Sequence, residues 1–372
     1  MKKFIIFVAA IAMVGSFVAT AMADVSLYGS ARFRTYYADQ SKEASNTGYS
    51  DGDLEWRIGH LTRFGASFKS DKITGRFEMD ARAGGAGSTG NIESDSGASR
   101  LGNMRLRLLW GEYDFGSWKF MIGQNYPLYD AVVSGINYYS GGFQKFGGIA
   151  YDVARTSQVR FTMNNLRIAF LPVDTSKGGV EEYDTETDVM FPKIEARYDL
   201  KMDWGTLNFI GGYQTYKAVN DVDADKTINS WVAGIRGKFD FGPAYLGISG
   251  TYRQNGGNYG AWTTVMEDAV YDGNDVADAT AWGGVAALGY KINDSNTIEA
   301  SYGYVSSELD LPGTWEDKKQ VFGLMYKYTV APGFYIVPEF IYQDNKESTS
   351  PDGEIDNGDV TIFGVFWRID FK

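Results

Sequence analysis

From Asp24 to the end of the chain, apolar and polar residues alternate with period two in one segment after another. That period belongs to β-strands, whose successive side chains point to opposite faces. In the first such segment Val25, Leu27, Ala31 and Phe33 share one face, and Ser26, Ser30, Arg32 and Arg34 the other. Between Ile73 and Ala83, Ile73, Phe77, Met79 and Ala81 alternate with Thr74, Arg76, Glu78, Asp80 and Arg82. The pattern returns with Met104, Leu106 and Leu108 against Arg105 and Arg107, and with Val159, Phe161 and Met163 against Gln158, Arg160 and Thr162. It recurs with Ile194, Ala196, Tyr198 and Leu200 against Lys193, Glu195, Arg197 and Asp199, and again at Leu246–Arg253 and Val365–Phe371. A face this charged needs water or ion partners. A soluble sandwich turns it outward; a barrel with a wet interior turns it inward and sets the apolar face against lipid.

The connections sort themselves as well. Seven short ones, such as Ser70-Asp71-Lys72, Asn164-Asn165 and Asp203-Trp204-Gly205, carry the Asn, Asp, Gly and Pro of tight turns. Eight long ones span roughly 38–53, 84–103, 125–155, 174–188, 217–228, 255–279, 306–318 and 344–358. Together they join sixteen strands, with short turns at one end and long loops at the other. An even strand count with segregated loops predicts an all-β, antiparallel transmembrane barrel. Tyr36, Tyr37, Trp56, Trp110, Trp118, Trp231, Trp282, Tyr326 and Tyr328 fall near strand ends, where an aromatic girdle sits at the two bilayer surfaces.

Residues 1–23 read as a signal peptide: Lys2 and Lys3, an apolar run from Phe4 to Val18, then Ala21-Met22-Ala23. The run is short for a spanning helix, and no later stretch approaches that length. Residues 24–372 then form one domain, which can enter a membrane only as a closed barrel.

Composition excludes several chemistries. With no cysteine there is no disulfide framework or thiolate metal site, and one histidine, His60, leaves almost no room for His-based catalysis. A net charge of -12 argues against nucleic acid as a partner. No G-x-S-x-G nucleophile motif occurs, so an outer-membrane hydrolase has nothing to rest on. The chain is read as a non-enzyme without a cofactor.

Charge is unevenly spread. The long loops at 174–188, 255–279 and 344–358 are acidic, which reads as solvated surface or as divalent-cation binding that bridges to lipopolysaccharide. Asp352, Asp356 and Asp359 supply oxygen ligands for a structural Ca²⁺, without the full loop that a dedicated calcium site has. Arginine shows the reverse: Arg32, Arg34, Arg57, Arg63, Arg76, Arg82, Arg105 and Arg107 crowd the first four strands. Two readings stand side by side: a positive wall that focuses the field in a narrow lumen, or ion pairing with Glu55, Glu78 and Asp80 that stabilises the wall.

Several stretches resemble a known family. Arg63-Phe64-Gly65-Ala66-Ser67-Phe68-Lys69 is similar to the second-strand segment of Gram-negative general-diffusion porins. Leu106 to Gly123, with Trp110-Gly111, Phe115-Gly116 and Gly123-Gln124 followed by Pro127 and Tyr129-Asp130, resembles their lead-in to the third loop. Leu27-Tyr28-Gly29 resembles a mature porin N-terminus. The resemblance implies a homotrimer in the outer membrane of a Gram-negative bacterium, among lipid and lipopolysaccharide. It implies that the third loop, about 125–155, folds into the lumen, where wall bases face loop acids.

By position Arg63 matches the basic residue of the second strand, Arg105 or Arg107 that of the fourth, and Arg160 or Arg155 that of the sixth. Two departures stand out. The third loop has little acid, with Asp130 and Asp152 near its ends and Lys145 in the middle, and its tip is aromatic and glycine-rich. The chain ends in Lys372, one place beyond Phe371, where the family usually ends in Phe. The expected function is a passive, water-filled channel for small hydrophilic solutes and ions. Its pore-lining set is Arg32, Arg34, Arg63, Glu78, Asp80, Arg82, Arg105, Arg107, Asp130, Lys145 and Arg160. The alternatives are a substrate-selective channel for sugars, amino acids or organic anions, whose loop-three aromatics stack the solute, and more remotely a secreted β-sandwich adhesin or lectin.

Overall fold

A computed structural model describes residues 24–46, 52, 54–59, 62–82, 103–137, 142–151, 155–175, 186–219, 225–271, 275–313, 315–351 and 353–372. Residues 1–23, expected to be a signal peptide, lie outside the described residues, as do His60, Asp152 and Asp352.

Sixteen antiparallel strands close on themselves. They are β1 (Asp24–Gln40), β2 in two pieces (Leu54–Ile58 and Arg63–Lys69), β3 (Ile73–Arg82), β4 (Asn103–Asp114), β5 (Lys119–Asn125), β6 (Thr156–Met163), β7 (Leu166–Leu171) and β8 (Lys193–Met202). Then follow β9 (Gly205–Val219), β10 (Lys226–Phe241), β11 (Ala244–Gln254), β12 (Ala279–Asn293), β13 (Asn296–Leu309), β14 (Glu316–Ala331), β15 (Phe334–Asp344) and β16 (Asp359–Phe371). The seam runs between β16 and β1, in register from Gly29↔Phe371 to Gln40↔Val360. Closure removes every sheet edge, as lipid demands. Seven tight turns lie at one end of the barrel, which also holds both ends of the described chain. The long connections lie at the other end, although that between β13 and β14 covers only residues 310–315 because both strands run on past the expected limits.

Burial is inside out. Leu27, Trp56 and Leu288 are 68%, 65% and 60% exposed, while Glu78, Asp80 and Arg107 are fully buried. The two faces are those that the alternation predicts, with one break. Across β3 and β4, Glu78 pairs with Leu108 and Met79 with Leu106, so Arg107 is an extra residue in β4. This β-bulge turns Arg107 and Leu108 to the same side and resets the parity beyond it. Leu108 therefore faces inward and is buried, against the simple alternation. Trp110 shares the inner face with its partner Arg76 and is not part of the girdle. Tyr36 also points inward, 1% exposed. The outer aromatics do include Trp56 and Trp282, with Tyr326 and Tyr328 near the turn end.

Candidate constriction site

Among the described residues, two loops fold into the barrel. Loop three (residues 126–155) is held along the inner wall by three glutamates of the strands. Glu195 of β8 accepts the N–H groups of Leu128 (2.6 Å) and Tyr129 (3.1 Å) on one oxygen and the Tyr259 hydroxyl (2.9 Å) on the other. Glu299 of β13 accepts the Gly135 N–H (2.7 Å) and the Ser134 hydroxyl (3.0 Å) on one oxygen and the Tyr245 hydroxyl (2.6 Å) on the other. Glu339 of β15 accepts the Asn137 N–H (2.7 Å) and the Tyr36 hydroxyl (2.6 Å). Each carboxylate thus takes a backbone donor of the loop and a tyrosine of the wall or of a neighbouring loop. Charge-assisted bonds of this kind are about twice as strong as neutral ones.

Under the loop the wall is bare. Glycines occupy inward positions on successive strands, and each receives a loop residue. A Cβ on Gly234 would stand 3.0 Å from Ile149, and one on Gly247 2.9 Å from the Val133 carbonyl oxygen. One on Gly283 would stand 2.6 Å from the Gly147 Cα and one on Gly303 3.0 Å from Phe146, and one on Gly323 would meet Ile136. Glycine within a strand marks a close approach of another chain segment, and here that segment is loop three. Gly147, which lies against Gly283, itself has φ +90°, a conformation that glycine adopts freely. Phe143 and Phe146 of the tip sink into a cluster with Ile136, Val285, Val321, Met325 and Val337, at 4% and 2% exposure. These two aromatics are packed against the wall and do not present rings to a passing solute. Tyr138 and Tyr139 lie outside the described residues.

The second of these, loop six (residues 255–278), corrects the expectation of a solvated acidic surface at 255–279 at Glu267, while Asp275 keeps 83% of its side-chain surface exposed. Asn258 and Tyr259 are fully buried, and Glu267 is 2% exposed and paired with the equally buried Arg253 at 2.7 Å. Loop six grips loop three through a β-bridge between Tyr151 and Ala261, through Trp262 N–H to the Ala150 carbonyl (3.0 Å), and through the Thr264 hydroxyl to the Lys145 carbonyl (3.2 Å). Burial pushes the Glu267 carboxyl up to about 7 although Arg253 pulls it down. The same cause lifts Asp130 of loop three to about 7, against Arg155, and lowers Lys145 to about 8, where Lys319 adds repulsion.

The inner face of β2–β4 carries the arginine wall, which meets loop three at its first residue, Tyr126. Arg107 donates to Glu78 at 2.5 Å, to Asp80 at 3.4 Å and to the Tyr126 hydroxyl at 2.8 Å. Arg105 donates to Asp80 (2.9 Å), Arg63 to Glu78 (3.5 Å) and Arg76 to Glu78 (3.0 Å). Four guanidiniums thus share two carboxylates. The side chains of Arg63, Arg76 and Arg105 keep 21%, 37% and 42% of their surface exposed, whereas those of Glu78 and Asp80 keep none. Solvent in the lumen therefore meets the positive ends, with the carboxylates behind them. The wall is at once ion-paired and positive, so the two readings of its arginines describe one arrangement. Arg105 and Arg107, two places apart on the strand, share its inner face, and both reach Asp80.

The remaining predicted residues divide. Arg32 lies on the inner face of β1 and donates to the Ser30 hydroxyl (3.1 Å), and Arg34 is buried beside it. Arg160 of β6 donates to Gln158 and, at 2.5 Å, to the Tyr126 carbonyl, while Arg155 stacks over the Tyr126 ring at 5.6 Å. The side chains of Arg82, Arg57 and Glu55 lie outside the described residues. Asp356 caps the Gly358 N–H (2.8 Å) and Asp359 accepts the Tyr342 hydroxyl (3.4 Å). Among the described residues no three His, Cys, Asp or Glu side chains cluster as metal ligands would. Sequence reasoning counted Arg76 among the wall arginines but left it out of the pore-lining set, and it missed Tyr126 and the three loop-holding glutamates; the glycines at inward strand positions were the readable signal for the loop's seat.

A closed sixteen-stranded barrel that is apolar outside, charged inside and narrowed by inward loops is an outer-membrane channel and not an enzyme. The chain belongs to the Gram-negative porin family, whose model matches residues 8–348. None of the curated proteins compared with it matches. Its fold is similar to that of the outer membrane channel DcaP of Acinetobacter baumannii, at 19% identity and TM-score 0.70, covering 94% of this chain and 97% of that one. The trimer form of OmpT of Vibrio cholerae aligns at 16% identity and TM-score 0.61, over 94% and 99% of the two chains. An anion-selective porin from Comamonas acidovorans aligns at 13% identity and TM-score 0.60, over 94% and 100%. The protein is a porin of the outer membrane that passes small solutes.

Proposed function

We propose that this porin is a cofactor-free diffusion channel whose constriction, between loop three and the arginine wall, favours anions. The observation that carries the reading is the layering of charge at Arg63, Arg76 and Arg105, exposed in front of the buried Glu78 and Asp80. In a narrow lumen with low-dielectric walls such a layer raises the local anion concentration. The acid-poor loop three leaves the wall without strong counter-charge, since Asp130, with its carboxyl near 7, is only partly ionised at neutral pH.

The working assembly is a homotrimer seated in lipid and lipopolysaccharide after removal of residues 1–23; a trimer form is recorded for the similar Vibrio cholerae OmpT. A solute-stacking channel has less support, because Phe143 and Phe146 are buried.

The test is a planar-bilayer recording under a KCl gradient. The wild-type reversal potential is expected on the anion side, and R63Q/R105Q/R107Q is expected to move it toward cations. A barrel that folds and shows no such movement refutes the assignment.

A further inference from the structure

A second group of arginines lies on β7, β8 and β10, outside the constriction wall. Arg167 and Arg197 stand directly opposite each other across the β7–β8 pair. Like charges so placed repel unless a counter-charge holds them. They share one carboxylate: Arg197 donates to Asp199 at 2.8 Å, and Arg167 donates to its other oxygen. Asn208 donates to Asp199 (2.7 Å) and accepts from Arg236 (2.9 Å), which also reaches the Val132 carbonyl of loop three at 3.3 Å. The Arg236 Nε is buried with no hydrogen-bond partner.

The group lies on the turn side of loop three. Arg167 is two places beyond the Asn164-Asn165 turn, and the Asp199 N–H bonds the Asn165 carbonyl at 2.9 Å. Arg197 is two residues beyond the loop-holding Glu195, roughly 7 Å closer to the periplasm. Glu195 already spends both oxygens on the loop and Tyr259, and Asp199 spends both on its neighbours, so three guanidiniums keep donors in excess of the acceptors around them.

We propose that Arg167, Arg197 and Arg236 form a second anion station, on the periplasmic side of loop three, that takes a phosphate group. Planar guanidinium forks match phosphate oxygens bidentately, and three of them around one carboxylate suit an anion with several acceptor oxygens better than chloride. A phosphorylated solute leaving the constriction meets this group before the periplasm. The station rests on the reading of the barrel as an anion-favouring channel but uses none of the constriction residues.

The experiment is block of the KCl current by inorganic phosphate, added to one side at a time of the full-length porin in an oriented bilayer. Phosphate on the periplasmic side is expected to block at lower concentration than on the outer side. R197Q/R236Q should weaken the periplasmic block at least tenfold, and D199N should strengthen it severalfold. These opposite shifts separate loss of a site from loss of fold, and heat-modifiable gel mobility checks the barrel in each variant. R63Q/R105Q should change the reversal potential and leave the periplasmic block within twofold. Equal block from both sides, or a block unmoved in both R197Q/R236Q and D199N, overturns the station. A cation-side reversal potential in the wild type with periplasmic block intact overturns the proposed selectivity alone.

Discussion

Replacing the three loop-holding glutamates by glutamine should loosen loop three without altering its seat. Each carboxylate accepts a loop N–H on one oxygen and a tyrosine hydroxyl on the other, at 2.6–2.9 Å for Glu195, 2.6–2.7 Å for Glu299 and 2.6–2.7 Å for Glu339. Glutamine keeps one acceptor oxygen but loses the charge and cannot accept on both sides. Hydrogen bonds to charged groups are worth about 1.5–3 kcal/mol and neutral ones about 0.5–1.5, so each exchange costs roughly 1–2 kcal/mol. Gly135 and Asn137 are near neighbours in the loop, so E299Q and E339Q should couple, while E195Q at the loop's root should add to them independently. The triple variant then loses about 3–6 kcal/mol of docking, roughly a hundred-fold to ten-thousand-fold in the docked-to-released ratio. Single-channel recording should show open-state noise that grows from single to triple variant, and limited proteolysis should cut between residues 126 and 155. A triple variant that keeps heat-modifiable mobility, quiet current and protease resistance would show that the glycine seat and the apolar tip hold the loop unaided.

Other expectations follow from the same contacts. Gly283→Ala puts a methyl 2.6 Å from the Gly147 Cα and 2.5 Å from the Tyr304 carbonyl oxygen, which should cost about 1–3 kcal/mol and raise conductance by lifting the loop tip. Loop six should dock more tightly in acid. The Glu267 carboxyl is raised to about 7 from an ordinary value of 4.5, so its contribution is fully present below about 4.5 and is lost as pH rises through about 7. Protection factors of residues 255–271, which remove the intrinsic pH dependence of exchange, should therefore fall between pH 5 and pH 8, and E267Q should flatten that fall.

The membrane faces were legible because lipid and water enforce period two on almost every strand. The reading failed where one residue was added: no feature of Met104–Trp110 announces that Arg107 bulges, yet the bulge moves Leu108 and Trp110 inward. Tyr36 was misassigned because nearness to a strand end says nothing about the face it occupies. Loop six was misread because counting its acids could not reveal that Glu267 meets Arg253 in a buried pair. Glu195 was visible as one more polar residue in an alternating run. Its role depends on a backbone segment about 66 residues earlier, a pairing that no local pattern encodes.

The glycine path beneath loop three has a consequence for any attempt to enlarge this pore. Cutting the loop away would not simply widen an existing aperture of the same character. Across the arc from β10 to β14 it would uncover inward positions without side chains at Gly234, Gly247, Gly283, Gly303 and Gly323. There permeating ions would slide past bare peptide on one side and guanidinium on the other. A trimmed variant would therefore be a lopsided conduit, its discrimination resting on a single bank of the stream.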